Sequence, residues 1–246
     1  MSPRKERRGN KRMILDLGRV PRSQEELARK IDHTALKPEE GVSGLIKAAE
    51  ETESFGFRAL VIPPWAVKEI SGITKAKIAT VISFPLGHDP MELKKKQIEI
   101  AVSDGAFEVD VVINIMAALS GRLDYLRKEI FELTSFAHDL GAGIKFIIET
   151  GSLNPDLISE VSALIAEAGG DFVKTSTGFG PRGASVEDVV IIRKAIGEGH
   201  GIKASGGIRT GIQAALLFAA GADILGASSS VKILREYPKA LSSLLG

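Results

Sequence analysis

Three lysines stand inside short apolar runs: Lys145 in GIKFIIET, Lys174 in DFVKTSTGFG and Lys203 in GIKASGGIRT. A lysine flanked by Phe, Val or Ile is held partly out of water, where an ammonium ion is costly. Such residues are seldom buried without a partner or a purpose. Lys174 and Lys203 lie 29 residues apart, close to the length of one strand–helix unit, which places them on adjacent parallel strands. Two cations side by side depress each other's pKa, and a lysine so depressed becomes a neutral nucleophile that forms a Schiff base. A free lysine titrates at about 10.4, and bringing it to about 7 takes roughly 4.6 kcal/mol. A second charge about 4 Å away supplies around 4 kcal/mol at an effective dielectric near 20. Asp110, in FEVDVVIN, adds a carboxylate that can relay the protons such chemistry needs.

These residues need a frame, and the pattern around them supplies one. Strand-like runs fall at 30–34, 57–62, 77–84, 107–114, 144–149, 171–176, 201–205 and 222–227, the first being the weakest. Amphipathic stretches lie between them, several ending at a glycine placed to cap a helix: Gly56, Gly105, Gly141, Gly169 and Gly221. Asn154, followed by Pro155, and Ser185 suit helix starts. Most strands read as unbroken apolar runs, the mark of parallel strands buried on both faces. Eight alternating units without a composition break predict an α/β fold, a single (β/α)8 TIM barrel with a short helical lead-in at SQEELARKI. A doubly wound open sheet is the alternative, and the absence of a dinucleotide glycine fingerprint after the first strand weighs against it. The boundary is expected near residue 22: 1–22 as a basic, flexible extension and 23–246 as the catalytic barrel.

In a barrel, inward side chains converge on one axis and the strand C-termini carry the site. The polar residues that interrupt the apolar runs are therefore the candidates: Asp32, Thr34, Asp110, Asn114, Lys145, Lys174, Thr175, Lys203 and Ser205. The ordinary reading of each is a structural ion pair or a strand-edge residue; three lysines and two aspartates arriving from five strands favour chemistry. Glycine-rich turns follow the last strands: TSTGFGPRG at 175–183, SGGIRTG at 205–211 and GASSS at 226–230. Backbone N–H groups in such turns, beside helix N-termini, suit a phosphate. Arg182 and Arg209 could assist it, or merely begin exposed helices. His33, His88, His138 and His200 lack metal-ligand spacing, so no metal site is expected. Trp65, after Pro63 and Pro64, reads as a packing anchor, and the lysines at 94–96 as the solvated face of a helix.

The chain has 246 residues, 44% of them hydrophobic, with 32 basic against 31 acidic side chains. That near balance points away from nucleic acid as a partner. The exception is the first dozen residues, where Arg4, Lys5, Arg7, Arg8, Lys11 and Arg12 face only Glu6. With no aromatic residues interleaved, a solvated terminus is the preferred reading over an RNA-binding arm. There are no cysteines, which excludes disulfides and thiolate chemistry and fits the cytoplasm. No secretory h-region and no apolar run of membrane-spanning length is present, so no membrane partner is expected.

Taken together, IDHT (31–34), TVISFPLG (80–87), EVDVVINI (108–115), KFIIETG (145–151), DFVKTSTGFG (171–180) and IKASGGIRT (202–210) resemble the deoxyribose-phosphate aldolase family, class I aldolases with a (β/α)8 fold. The likeness runs from about residue 24 to 235. It implies that Lys174 forms the Schiff base, Lys203 lowers its pKa and Asp110 relays protons. It implies a substrate-phosphate site at Gly178, Gly206, Gly207, Ser228 and Ser229, with Thr34, Lys145 and Thr175 completing the substrate-binding set. The substrates implied are a phosphorylated sugar and small aldehydes, the cofactor is none because the iminium is itself the electron sink, and the assembly is a homo-oligomer, dimer or tetramer. Ser83 departs from the glycine usual in the family, and VIPPW (61–65) from a cysteine-containing segment. Within enzymes the rival is another Schiff-base barrel, an aldolase or transaldolase of different donor; outside them, a non-catalytic sugar-phosphate-binding barrel.

Overall fold

The computed structural model describes residues 15–245; the basic head at residues 4–12 lies outside them. Eight parallel strands close into a barrel in sequence order: β1 (Ile31–Thr34), β2 (Ala59–Ile62), β3 (Ile78–Ile82), β4 (Glu108–Val112), β5 (Gly143–Ile147), β6 (Phe172–Lys174), β7 (Gly201–Ser205) and β8 (Ile224–Ala227), with β8 pairing back onto β1. All eight runs expected from the sequence are strands, as a (β/α)8 barrel requires. Around them, among the described residues, lie α1 (Gln24–Ala28), α2 (Gly41–Phe55), α3 (Val67–Ser71), α4 (Met91–Ser103), α5 (Ile115–Leu119), α6 (Leu123–Asp139), α7 (Pro155–Glu167), α8 (Val186–Ile196), α9 (Gly211–Ala220) and α10 (Ser230–Leu245). None of these helices is long and apolar enough to cross a membrane.

Alternate strand residues face opposite ways, and this sorts the core into two parts. The outward set, including Leu60, Ile62, Val109, Val111, Phe146, Val173, Ile202 and Leu225, is buried against the helices in one continuous cluster. The inward set is divided along the axis. On the β2 and β3 side it is apolar, with Val61, Ala79 and Val81 packed beside Leu36, Phe84 and Phe107. On β1 and on β4 to β7 it carries charges, β8 contributing Ile224 and Gly226, and the register puts those charges level with one another: Asp110 opposite Lys145, and Lys174 opposite Lys203.

The element ends follow the signals in the chain. Asn154 and Ser185 cap α7 and α8 by accepting from the N–H groups of Leu157 and Asp188. Two strands stop earlier than expected because a residue turns left-handed: β3 before Ser83 (φ 54°) and β5 before Glu149 (φ 52°). Ser83 occupies backbone that favours glycine. Its strain is offset by two hydrogen bonds, from Ser83 N to Gln97 and from Asp89 N to Ser83 Oγ. Asn114 is the N-cap of α5, its side chain accepting from Ala117 N.

Residues 15–21 pack on the barrel. Asp16 N donates to the Ala219 carbonyl at the end of α9, Val20 is buried, and the Tyr237 hydroxyl of α10 donates to the Pro21 carbonyl. Two expectations about side chains are corrected. Trp65 is 66% exposed and anchors no core. Of the three lysines at 94–96, Lys94 is wholly buried, donating to Glu129 at 2.8 Å and to the Val112 carbonyl at 2.7 Å. The other oxygen of Glu129 accepts from Asn114 N at 3.0 Å. A helix reading treats three successive lysines alike, whereas a helix turns about 100° per residue and carries one of them inward. This pair fixes the end of β4, so Lys94→Met is expected to strand a buried carboxylate and cost about 3–5 kcal/mol in denaturant unfolding. The double variant Lys94→Met/Glu129→Leu should recover most of that loss.

Candidate active site

The charged half of the axis is a closed ring. Arg58, just before β2, donates to Asp32 at 2.7 Å; Asp32 accepts from Lys203 at 2.6 Å; Lys203 donates to Asp110 at 2.8 Å. Asp110 also accepts from Lys145 at 3.0 Å, Lys145 donates to Glu108 at 2.6 Å, and Glu108 returns to Arg58. Three cations alternate with three carboxylates, so the ring is neutral as it stands. Lys174 is the seventh member, donating to the same Asp110 oxygen that Lys203 uses, at 2.7 Å. Asp32, Asp110, Lys145 and Lys203 are fully buried and Lys174 is 3% exposed. The three lysines and two aspartates expected to converge from five strands are thus in direct contact.

The electrostatics follow from this count. Burial is the largest influence on Lys174 and pushes it down; Asp110 opposes, Lys203 and Lys145 add repulsion, and the amine is lowered to about 8. At pH 7 roughly one molecule in ten then carries it neutral, against well under 0.1% for a free lysine. Desolvation outweighs the neighbouring cation, the reverse of the order expected from the sequence, where the second ammonium leads and burial adds modestly. Lys203 is buried as deeply, but Asp110 and Asp32 together outweigh that burial and raise its pKa. Burial pushes Asp110 up, yet Lys145, Lys174 and Lys203 hold it well below the carboxylate range. The arrangement therefore separates the two lysines on adjacent strands into one titrating amine and one permanent cation.

Room for Lys203 comes from β8. Gly226 sits level with Asp32 and Ser205, and a Cβ there would meet Lys203 Cε at 2.9 Å. Above Lys174 opens a cavity of about 270 Å³ at the C-terminal end of the barrel. Thr34, Lys174, Gly178, Gly206, Gly207, Ser228 and Ser229 line it, together with Ser205, Phe179, Lys37 and Arg209. Gly206 adopts φ 87° and passes so close to Gly183 that a Cβ on it would lie 3.1 Å from the Gly183 Cα. The N–H groups of Gly206 and Gly207 find no acceptor among the described residues, and Ser228 and Ser229 directly precede the 16-residue α10. Free donors beside a helix N-terminus make this wall receptive to an anion.

Two expected substrate contacts lie elsewhere. Lys145 is beneath the cavity, inside the ring. Thr175 is fully buried and joins β6 to β7, donating from Oγ1 to the Ser205 carbonyl and accepting from Ser205 N. Arg182 turns away from the cavity and pairs with Asp188. Arg58 and Glu108 were not singled out from the sequence. Both lie inside expected strand runs, Glu108 in 107–114 two residues from Asp110 and on its face, and Arg58 in 57–62, but neither position names its partners across the barrel. The Arg58 guanidinium also lies 5.7 Å from both the Phe107 and Phe172 ring centres, closing the barrel floor. Every carboxylate of the ring is taken by lysine or arginine, and among the described residues no three His, Asp or Glu side chains gather where they could hold a metal ion. Gly226→Val is expected to cost about 1–3 kcal/mol by overpacking and to push Lys203 off Asp110, read as a lost reactivity of Lys174 toward aldehydes in a protein that still unfolds cooperatively.

Comparison with known proteins agrees with this geometry. Residues 22–236 match the family model described as DeoC/LacD family aldolase. The deoxyribose-phosphate aldolase of Thermococcus gammatolerans is 46% identical over 214 residues, covering 85% of this chain and 95% of that protein. That of Thermococcus kodakarensis is 43% identical, covering 88% and 99%. Among solved structures, the tetrameric deoxyribose phosphate aldolase from Aeropyrum pernix superposes with a TM-score of 0.84 at 35% identity, over 90% of this chain and 94% of the other. A family model spanning most of the barrel, relatives of this identity and a lysine ring on the barrel axis lead to one conclusion: the chain belongs to the DeoC/LacD family of aldolases.

Proposed function

We propose that this chain is a class I aldolase that reversibly cleaves 2-deoxy-D-ribose 5-phosphate to acetaldehyde and D-glyceraldehyde 3-phosphate, with Lys174 as the Schiff-base lysine. The observation that carries the reading is the odd lysine: a buried amine, lowered to about 8, on a ring that is already neutral. Neutral Lys174 adds to the aldehyde carbon of the open-chain sugar, and loss of water from the carbinolamine gives the iminium. The C2–C3 bond then breaks: the C3 hydroxyl gives up its proton, its oxygen becomes the aldehyde of glyceraldehyde 3-phosphate, and the electron pair passes into the iminium as an enamine. Protonation of the enamine at carbon and hydrolysis release acetaldehyde and restore Lys174. Asp110, 2.7 Å from the amine, relays protons in these steps, and Lys203 remains a cation throughout.

The charge count favours the cleavage itself. An iminium is a cation at the place where the ammonium is disfavoured, whereas the enamine is neutral. An environment that lowers the pKa of Lys174 therefore also favours the electron shift that breaks the carbon–carbon bond. The substrate phosphate is assigned to the N–H groups and hydroxyls of Gly206, Gly207, Ser228 and Ser229, with Gly178 on the facing loop. Thr34 contributes beside the reacting carbon. Lys145 and Thr175 support these groups from behind the cavity, Lys145 by balancing Asp110. A homo-oligomer is proposed by analogy with the tetrameric relative, and the exposed Trp65, Leu86, Met116 and Leu119 supply apolar surface for it. A cysteine-free chain fits the cytoplasm.

Borohydride reduction in the presence of acetaldehyde should leave a two-carbon adduct on Lys174 by peptide mass mapping, and none in Lys174→Leu. No adduct at any lysine of the folded protein would end the assignment and leave a sugar-phosphate-binding barrel. Asp110→Asn is expected to lower kcat by about 10²–10⁴-fold, the range for a general acid–base group. Offering acetaldehyde or dihydroxyacetone phosphate as donor separates this activity from that of another Schiff-base barrel.

A further inference from the structure

One carboxylate outside the ring is buried, strained and only half satisfied. Glu149 follows β5 with φ 52° and ψ 63°, backbone that disfavours any residue bearing a Cβ, and its side chain is 3% exposed. One carboxylate oxygen accepts from Thr177 N at 3.0 Å and from the Thr177 hydroxyl. The other has no hydrogen-bond partner. It rests against Gly180, where a Cβ would lie 2.6 Å from the carboxylate. Thr177 in turn accepts from Phe179 N at 3.0 Å. The carboxylate thus holds the loop at Thr177 and fills the space a side chain would need at Gly180, and Thr177, Gly178 and Phe179 of that loop wall the cavity above Lys174. Strain of this kind persists where the surroundings impose it, and functional loops are the usual place.

We propose that Glu149 is a positioning residue for the phosphorylated end of the substrate: it clamps the 177–180 loop so that Gly178 faces Gly206 across the phosphate wall. The inference rests on the aldolase reading but assigns Glu149 no part in the Schiff base. A second tie shows that the clamp is built into the fold. Thr150, the next residue, donates from its N–H to the Thr175 carbonyl at 2.8 Å and from its hydroxyl to Asp188 at 2.9 Å. Arg182, at the far end of the loop, donates to the Thr150 carbonyl and pairs with the same Asp188. The turn after β5 is therefore the template on which the loop after β6 is laid. With the Glu149 carboxylate gone, Gly178 and Gly180 leave the loop free to sample other conformations.

The test separates the clamp from the lysine chemistry. Glu149→Ala should lower the preference for 2-deoxyribose 5-phosphate over unphosphorylated 2-deoxyribose, measured as the ratio of kcat/KM, by about ten-fold or more. The loss should lie in KM for the phosphorylated sugar, while borohydride trapping of acetaldehyde on Lys174 proceeds at the native rate. Glu149→Gln, which retains an oxygen for Thr177, should restore most of the preference. Thr177→Val removes the hydroxyl contact from the other side and should shift the same ratio, and it serves if Glu149→Ala does not fold. A ratio within roughly two-fold of native in both folded variants overturns the proposal. So does a trapping rate that falls in step with the ratio, since Glu149 would then act on the lysine. A wild-type protein that traps nothing at Lys174 overturns the aldolase reading instead.

Discussion

The interaction on which this molecule depends is the cycle of six charges along the barrel axis, with Lys174 attached as a seventh. A buried charge is tolerated only when paired, and here every member of the cycle touches two opposite charges. Because the cycle is neutral, adding a proton to Lys174 gives the interior a net positive charge. Lys203 is buried as deeply but has two carboxylates, whereas Lys174 has only a share in Asp110, so its burial goes largely uncompensated. The lowered pKa of the amine follows from a charge count that six other residues complete.

The barrel makes this count possible. Parallel strands in register bring inward residues to common levels, so Asp110, Lys145, Lys174 and Lys203 meet without a loop holding any of them. The β2 and β3 side contributes only apolar residues to the axis, which excludes water and leaves Arg58 as the one charge entering from there, between two phenylalanine rings. Gly226 gives up its side chain so that Lys203 can reach both Asp32 and Asp110. Above this rigid floor the cavity wall is largely backbone, in glycine turns whose conformation is held by neighbouring turns. Chemistry and recognition are thus stacked: charges on strands below, N–H groups on loops above.

Much of this could be read from the chain because strands and charges obey short-range rules. Apolar runs punctuated by glycine marked all eight strands, and a lysine inside such a run identified itself. What escaped reading was pairing over distance. The sequence shows Lys94, Lys95 and Lys96 as equals, and only the packing of α4 on α6 singles out Lys94 for Glu129. Arg58 closes the ring from a position whose neighbours give no hint of its partners. Thr175 resembles a substrate ligand by its place in VKTST, yet strand pairing directs it toward Ser205. The relative weight of burial and repulsion at Lys174 also needed the structure, because it depends on how completely Asp110 and Asp32 satisfy Lys203.

The most direct test of the charge count is an NMR titration of the Lys174 side chain, carbon-labelled at Cε and assigned by its loss in Lys174→Leu. The native protein should titrate near 8. In Arg58→Met, where the cycle loses one cation and gains net negative charge, the same resonance should move toward the free-lysine value. A native pKa near 10.4, or one unchanged when Arg58 is removed from the folded protein, would contradict the account.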